Sequence, residues 1–275
     1  MKTYVVLDSL EQDLGFSAKT LYGLSNNLDK HYRNTFIPKH DGSKRKLSIP
    51  DLILKRVQRS IADNILADYP ISRYAMAYTK GSSVQKNASL HVGKQKILKL
   101  DIEKFFDNIL YARVKDVVFR EDKFSEPIRI LLTMLCYYKE SLPQGAPTSP
   151  AITNIIMCDF DEKAVMSVVK DELRKLGLFL KSRKTAVIPK TKRQTVTGIV
   201  VNEKIGLTKD YKNKIRQEIY YIKKYGIDGH LSKIGCQDKQ HYLNSLKGRV
   251  AFVLQTLPDD VEFLRYKEFL KNVPK

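Results

Sequence analysis

Tryptophan is absent from the 275 residues, and cysteine occurs only three times, at Cys136, Cys158 and Cys236. An odd, scattered set with no CxxC pair excludes a disulfide framework or a cysteine-based zinc site, so the three are expected to be reduced and partly buried. Acidic residues are scarce beside basic ones, 30 against 49, which leaves a formal net charge of +19. No apolar run approaches the ~20 residues that span a bilayer, and MKTYVVLDSLEQDLG has neither the apolar segment nor the small-residue cleavage site of a secretion signal. A cytoplasmic protein with no membrane segment is expected.

What is present points to a folded chain. A hydrophobic fraction of 43% with 9% aromatics is enough for one large core or two to three smaller lobes, and disorder is excluded as the general state. A charge of +19 repels itself unless a polyanion offsets it. Nucleic acid is the first partner this implies, with an anionic membrane surface or a ribosome-like assembly as the alternatives.

Residues 1–35 read as helical and polar, with Ser17 a candidate N-cap. FIPKHDGSKRKLSIP reads as two extended runs around Asp41-Gly42, a hairpin whose second strand is basic. Pro50 then opens a helix with Leu52, Val57, Ile61, Ile65 and Leu66 on one face. KQKILKLDI reads as a strand, FFDNILYARVKDVVF and SEPIRILLTMLCYYKE as helices, and SLPQGAPTSP as a loop, because three prolines and a glycine in ten residues break any regular element. AITNIIMCDFDEKAVMSVVKDELRKL is free of Gly and Pro and reads as one helix of ~26 residues. Short strands follow, with turns near Pro189 and Asn202, and the pattern is helical again from Asp210, the pair Asp259-Asp260 forming a turn that opens the last helix.

Asp101 stands where the apolar strand meets the next element. A carboxylate there either caps the following turn or points into a cleft and holds Mg²⁺. Forty-one residues on, Leu142-Pro143-Gln144-Gly145-Ala146-Pro147-Thr148-Ser149-Pro150 forms a stiff turn feeding a helix, where backbone N–H groups and a Gln side chain meet an anionic ligand.

Together these two stretches resemble the first two catalytic motifs of reverse transcriptases. FIPKHDGSKRKLSIPDLILKRVQRSIADNIL resembles the fingers motif of the prokaryotic enzymes, which implies contact of Arg45 with the triphosphate of an incoming dNTP. An Arg fork also suits phosphate on chemical grounds. Phe106 matches the side chain that crowds the sugar 2′ position and selects dNTP over rNTP. Asn87-Ala88-Ser89-Leu90-His91 and Val196-Thr197-Gly198 match the NAxxH and VTG motifs and narrow the resemblance to retron reverse transcriptases. His91 alone reads as structural or RNA-contacting. Lys184 in KSRKTAV matches the lysine that donates a proton to departing pyrophosphate, or is one more basic residue in a basic run.

The resemblance implies an α+β, helix-rich right-hand polymerase fold, with fingers over 1–90, palm over 91–208 and thumb over 209–275. It implies a nucleotidyltransferase with a two-ion Mg²⁺ site, in which Asp101 and the Ile102 carbonyl are ligands and Arg45, Phe106, Gln144, Gly145 and Lys184 serve the nucleotide. RNA contacts are expected from Asn87, His91, Val196, Thr197, Gly198, Lys212, Arg216, Lys223 and Lys224, with tyrosines interleaved among the cations of the thumb. The implied partners are a noncoding RNA of the msr/msd type, its RNA–DNA product (msDNA), dNTPs and an effector protein, in bacterial antiphage defence.

One departure stands out. Two-metal phosphoryl transfer needs further carboxylates, which the family carries on a Tyr-x-Asp-Asp hairpin, and no such tetrapeptide occurs in this sequence. About 30 to 40 family residues are missing near 163–166, by omission, deletion or natural loss. Without them the chain is expected to be inactive, and a catalytically dead RNA- or msDNA-binding scaffold is the alternative function.

Overall fold

The computed structural model describes residues 2–38, 42–163, 173–181 and 185–274. It divides into two compact units, one formed by 1–79 with 100–185 and the other by 80–99 with 186–275. The chain crosses between units within KQKILKLDI, at Lys99/Leu100.

The first unit opens with α1 (Leu7–Leu14), α2 (Ala18–Ser25) and α3 (Leu28–His31). Ser17 caps α2 as expected, its hydroxyl accepting from the Thr20 N–H. Strands β1 (Tyr32–Pro38) and β2 (Lys44–Pro50) pair antiparallel from Tyr32 opposite Pro50 to Pro38 opposite Lys44. Asp41, in the turn between them, lies outside the described residues.

Asp51 caps α4 (Leu52–Asn64), accepting from the Leu54 N–H. This helix buries Leu54, Val57 and Ile61, each worth roughly 1.5–3 kcal/mol in transfer from water. Leu52 is 67% exposed, a correction to the expected apolar face, because as the first helical residue it precedes the stripe that begins at Leu54. The buried Gln58 is satisfied on its donor side by Tyr32 Oη at 2.7 Å and the Leu135 carbonyl at 2.8 Å, tying β1, α4 and α7 (Glu126–Cys136) together.

FFDN is not helical. Lys104 has φ of 43°, and the Asn108 side chain donates to the Glu103 carbonyl, so the segment closes as turns. Helical geometry begins at α6 (Tyr111–Arg113) and continues as a π-helical stretch, Val114–Val118. α8 (Ser149–Lys163) follows the Pro-rich loop; the remainder of the long helix expected there falls largely on 164–172, outside the described residues.

The second unit contains α5 (Val84–Ser89), β3 (Lys96–Lys99) and β4 (Ala186–Pro189), the strands paired antiparallel from Lys96 opposite Pro189. A small hairpin, β5 (Thr195–Val196) with β6 (Ile199–Val200), packs with α5 around Ala88, Ile97, Ile199 and Val201. The helices α9 (Lys209–Ile234), α10 (Lys239–Thr256) and α11 (Val261–Lys271) enclose a further core of Ile215, Ile219, Leu243, Leu246, Val253 and Phe263. Asp260 caps α11, confirming the turn read at Asp259-Asp260. Among the described residues, helices with three small two-stranded sheets make an α+β architecture. No described helix is long and apolar enough to cross a membrane.

Candidate functional site

Three distant stretches converge in the first unit. The Asp101 carbonyl accepts from the Lys181 N–H at 2.7 Å, and the Glu103 N–H donates to the Phe179 carbonyl at 2.8 Å. Ile102 therefore stands opposite Leu180 in an isolated antiparallel bridge, with its own N–H and C=O on the other edge. From there the chain turns through Lys104 to Phe106, whose ring meets Phe105 edge-on at 5.7 Å and whose carbonyl accepts from the Leu142 N–H.

Leu142 begins the Pro-rich loop, which is fixed at both ends. Upstream, Tyr138 and Ser141 exchange backbone hydrogen bonds across a tight turn in which Lys139 and Glu140 have φ of 47° and 57°. Downstream, the Ser149 hydroxyl donates to the Pro143 carbonyl. In between, the Gln144 carbonyl accepts from the Ser48 N–H of β2 at 3.0 Å. Gly145 has φ of +123°, and a β-carbon there would lie 3.0 Å from the Ser48 carbonyl oxygen, so only glycine permits this approach.

The result is a cavity of about 900 Å³. Arg45, Asp101, Ile102, Phe106 and Gln144, five of the residues expected at a nucleotide site, all line it. Six cations (Lys44, Arg45, Lys46, Lys104, Lys139, Lys181) face four carboxylates (Asp101, Glu103, Asp107, Glu140) around the same space, a balance that favours an anionic ligand. Lys46, Lys104 and Lys181 were not among the expected site residues. Their only sequence signal is position, beside Arg45 on the basic strand and near Asp101 and the KSRKT run. Lys184 lies outside the described residues, as do residues 164–166 of the expected hairpin site.

In the second unit, the NAxxH and VTG stretches come together. Ser83 caps α5, which carries Asn87, and His91 follows in the turn beyond the helix end, its N–H donating to the Ala88 carbonyl at 3.0 Å. Thr197 and Gly198 form the tight β5–β6 turn with φ of 48° and 86°, and the Thr197 hydroxyl donates to the Val84 carbonyl at 3.4 Å. Val196 packs beside Ala88 and Val92. Burial, aided by nearby Lys94, lowers the His91 pKa and favours the neutral ring.

The four cations of the C-terminal helices expected to contact RNA meet different surroundings. Lys212 pairs with Asp260 at 2.6 Å, and Arg216 forks onto Glu262 at 2.7 and 2.6 Å. Lys223 lies over the Tyr266 and Phe269 rings, while Lys224 lies over Tyr220 and Tyr225.

Residues 37–164 match the family model described as reverse transcriptase (RNA-dependent DNA polymerase). The Retron Ec86 reverse transcriptase of Escherichia coli is 29% identical, over 78% of this chain and 78% of its own length. The Retron Mx162 reverse transcriptase of Myxococcus xanthus is 27% identical over 91% of this chain. These matches support a retron-type reverse transcriptase. The Retron Ec83 reverse transcriptase of Escherichia coli is also 27% identical, covering 86% of each chain. The chain spans only 64% of the Mx162 relative's length. The comparison with the Ec86 enzyme runs over 249 positions but uses 78% of these 275 residues, about 215, so about 34 of its positions have no counterpart here.

Proposed function

We propose that this chain is the polymerase component of a retron, built to copy a folded noncoding RNA of the msr/msd type into single-stranded DNA. The product is msDNA, joined to the RNA at a priming 2′-hydroxyl. The observation that carries this reading is the convergence of Arg45, Asp101, Phe106 and Gln144, from three separate stretches, on one cation-rich cavity.

In this reading the cavity takes a dNTP. Arg45 holds the triphosphate through its fork of N–H donors, with Lys46 and Lys181 adding positive charge. Phe106, fixed between Phe105 and the Leu142 amide, walls off the position a 2′-hydroxyl would occupy. Gln144 and Gly145 bring the loop against β2 and set the nucleotide's place. Lys184 is the proposed proton donor to pyrophosphate. The surface of Asn87, His91, Val196, Thr197 and Gly198 contacts the RNA, as do the cations of the C-terminal helices. We assign fingers to 1–90, palm to 91–208 and thumb to 209–275, in a right-hand arrangement within the bacterial cytoplasm. An effector protein in antiphage defence completes the proposed setting.

The family uses Mg²⁺. Asp101 and the Ile102 carbonyl are the ligands we assign to it, yet among the described residues no three His, Cys, Asp or Glu side chains converge to hold a metal. The described residues therefore do not fit a two-ion centre. The sequence carries no Tyr-x-Asp-Asp, and the about 34 unmatched positions of the Ec86 enzyme are similar in number to the stretch expected to be missing. We infer that without the Tyr-x-Asp-Asp hairpin the chain binds dNTP and does not join it to a primer, and that the polymerase is complete only with that hairpin present.

Titration of a dNTP into the RNA-bound chain tests this reading. Saturable binding that weakens in Arg45→Ala is the expected result. Absence of dNTP binding, or binding indifferent to Arg45, overturns it.

A further inference from the structure

On α9, Tyr220 and Tyr225 are 55% and 47% exposed. They belong to a cluster. Tyr220 meets Tyr221 edge-on at 5.5 Å, Tyr221 stacks with Tyr225 at 6.1 Å, and the ring of His230 stacks on Tyr221 at 6.0 Å. Tyr221 and His230 are nine residues apart, about 13 Å along a straight helix. They meet because Gly226 breaks the helix with φ of 70° and ψ of 167°, a conformation open to glycine.

The same break places Lys233 over both Tyr221 and Tyr225, at 5.5 Å from each centroid. Lys224 lies over Tyr220 and Tyr225 at 5.7 and 5.2 Å. Beneath the exposed rings the support is rigid. His230 is 3% exposed and bonds Tyr242 Oη at 2.9 Å, Tyr242 donates to Glu218 at 2.6 Å, and Arg249 forks onto the same carboxylate. Lys212 and Arg216, by contrast, are held by Asp260 and Glu262.

We propose that the Tyr220/Tyr221/Tyr225 cluster with Lys224 and Lys233 is a stacking platform for unpaired nucleotides, distinct from the ion-paired Lys212 and Arg216. Tyr220 and Tyr225 accept bases of any sequence once Lys224 and Lys233, which lie over their rings, turn outward to the phosphates between those bases. A paired duplex hides its base faces and gains only the charge contribution. This inference rests on the chain's being a nucleic-acid binder, not on its polymerising.

The test is fluorescence anisotropy of the full chain with labelled unstructured single-stranded RNA, single-stranded DNA of the same sequence, and a blunt RNA duplex. Tyr220→Ala with Tyr225→Ala is expected to weaken single-strand binding at least about tenfold, with duplex binding and the salt dependence unchanged. Tyr220→Phe with Tyr225→Phe should bind like the wild type, which separates stacking from loss of fold. A loss on either single strand supports the platform and identifies its strand. Wild-type affinity in the double Ala variant, an equal loss on the duplex, or failure of the wild type to bind single strands overturns it. None of these readings depends on dNTP binding or primer extension, so failure here is separable from failure of the polymerase reading.

Discussion

The Ser48 amide donates to the Gln144 carbonyl at 3.0 Å, and the next residue, Gly145, rests against the Ser48 carbonyl. This pair joins the basic strand to the Pro-rich loop. Gly145→Ala must push a β-carbon onto backbone and hold φ near +123°. The expected loss is about 1–3 kcal/mol in denaturant unfolding, together with weaker dNTP binding. Unchanged stability would mean that the loop does not dock on β2 as described.

Arg45 is assigned to the triphosphate, so its removal should be felt in proportion to phosphate charge. Arg45→Ala is expected to weaken dNTP binding by about 1.5–3 kcal/mol while leaving the weak affinity for the corresponding monophosphate nearly unaltered. Calorimetry with both ligands checks this. Equal losses would place Arg45 elsewhere on the nucleotide.

Phe106 lines the cavity and is assigned to the sugar. Phe106→Ala should raise rNTP affinity relative to dNTP without abolishing dNTP binding, measured by competition at the same site. A ratio that does not move would reduce Phe106 to a packing residue beside Phe105.

Glu262 gives a pH signature to the C-terminal helices. The Arg216 fork, with help from Tyr266, holds its carboxyl down at about 2, against an ordinary value of 4.5. A depressed folded-state pKa contributes stability that is full above the unfolded value and is lost as pH falls from about 4.5 to about 2. The side chain is 37% exposed, so solvent screening keeps the amplitude modest. Glu262→Gln should flatten this part of the stability profile relative to wild type in acid titration, and two parallel profiles would contradict the pairing.

Much of the site was legible because its residue types are chemically constrained. A Gly-Pro-rich loop, a basic strand and a carboxylate before two phenylalanines each carry a local signal. The Ser17 and Asp260 caps were legible for the same reason. Less legible were features set by tertiary approach. FFDN has helical composition but turns at Lys104, and Leu52 fits an apolar period yet stands outside the buried stripe. The ion pairs of Lys212 with Asp260 and Arg216 with Glu262 were hidden because the partners lie nearly fifty residues apart in sequence. The kink at Gly226 was hidden in a continuous helical pattern.

Primer extension on the purified protein, with its mass confirmed at 31.7 kDa and its RNA bound, tests the central claim most directly. The account predicts that the chain binds dNTP in an Arg45-dependent manner and adds none to the primer in the presence of Mg²⁺. Mg²⁺-dependent incorporation by a chain of that mass would contradict it, and would require a complete metal centre assembled without the Tyr-x-Asp-Asp hairpin.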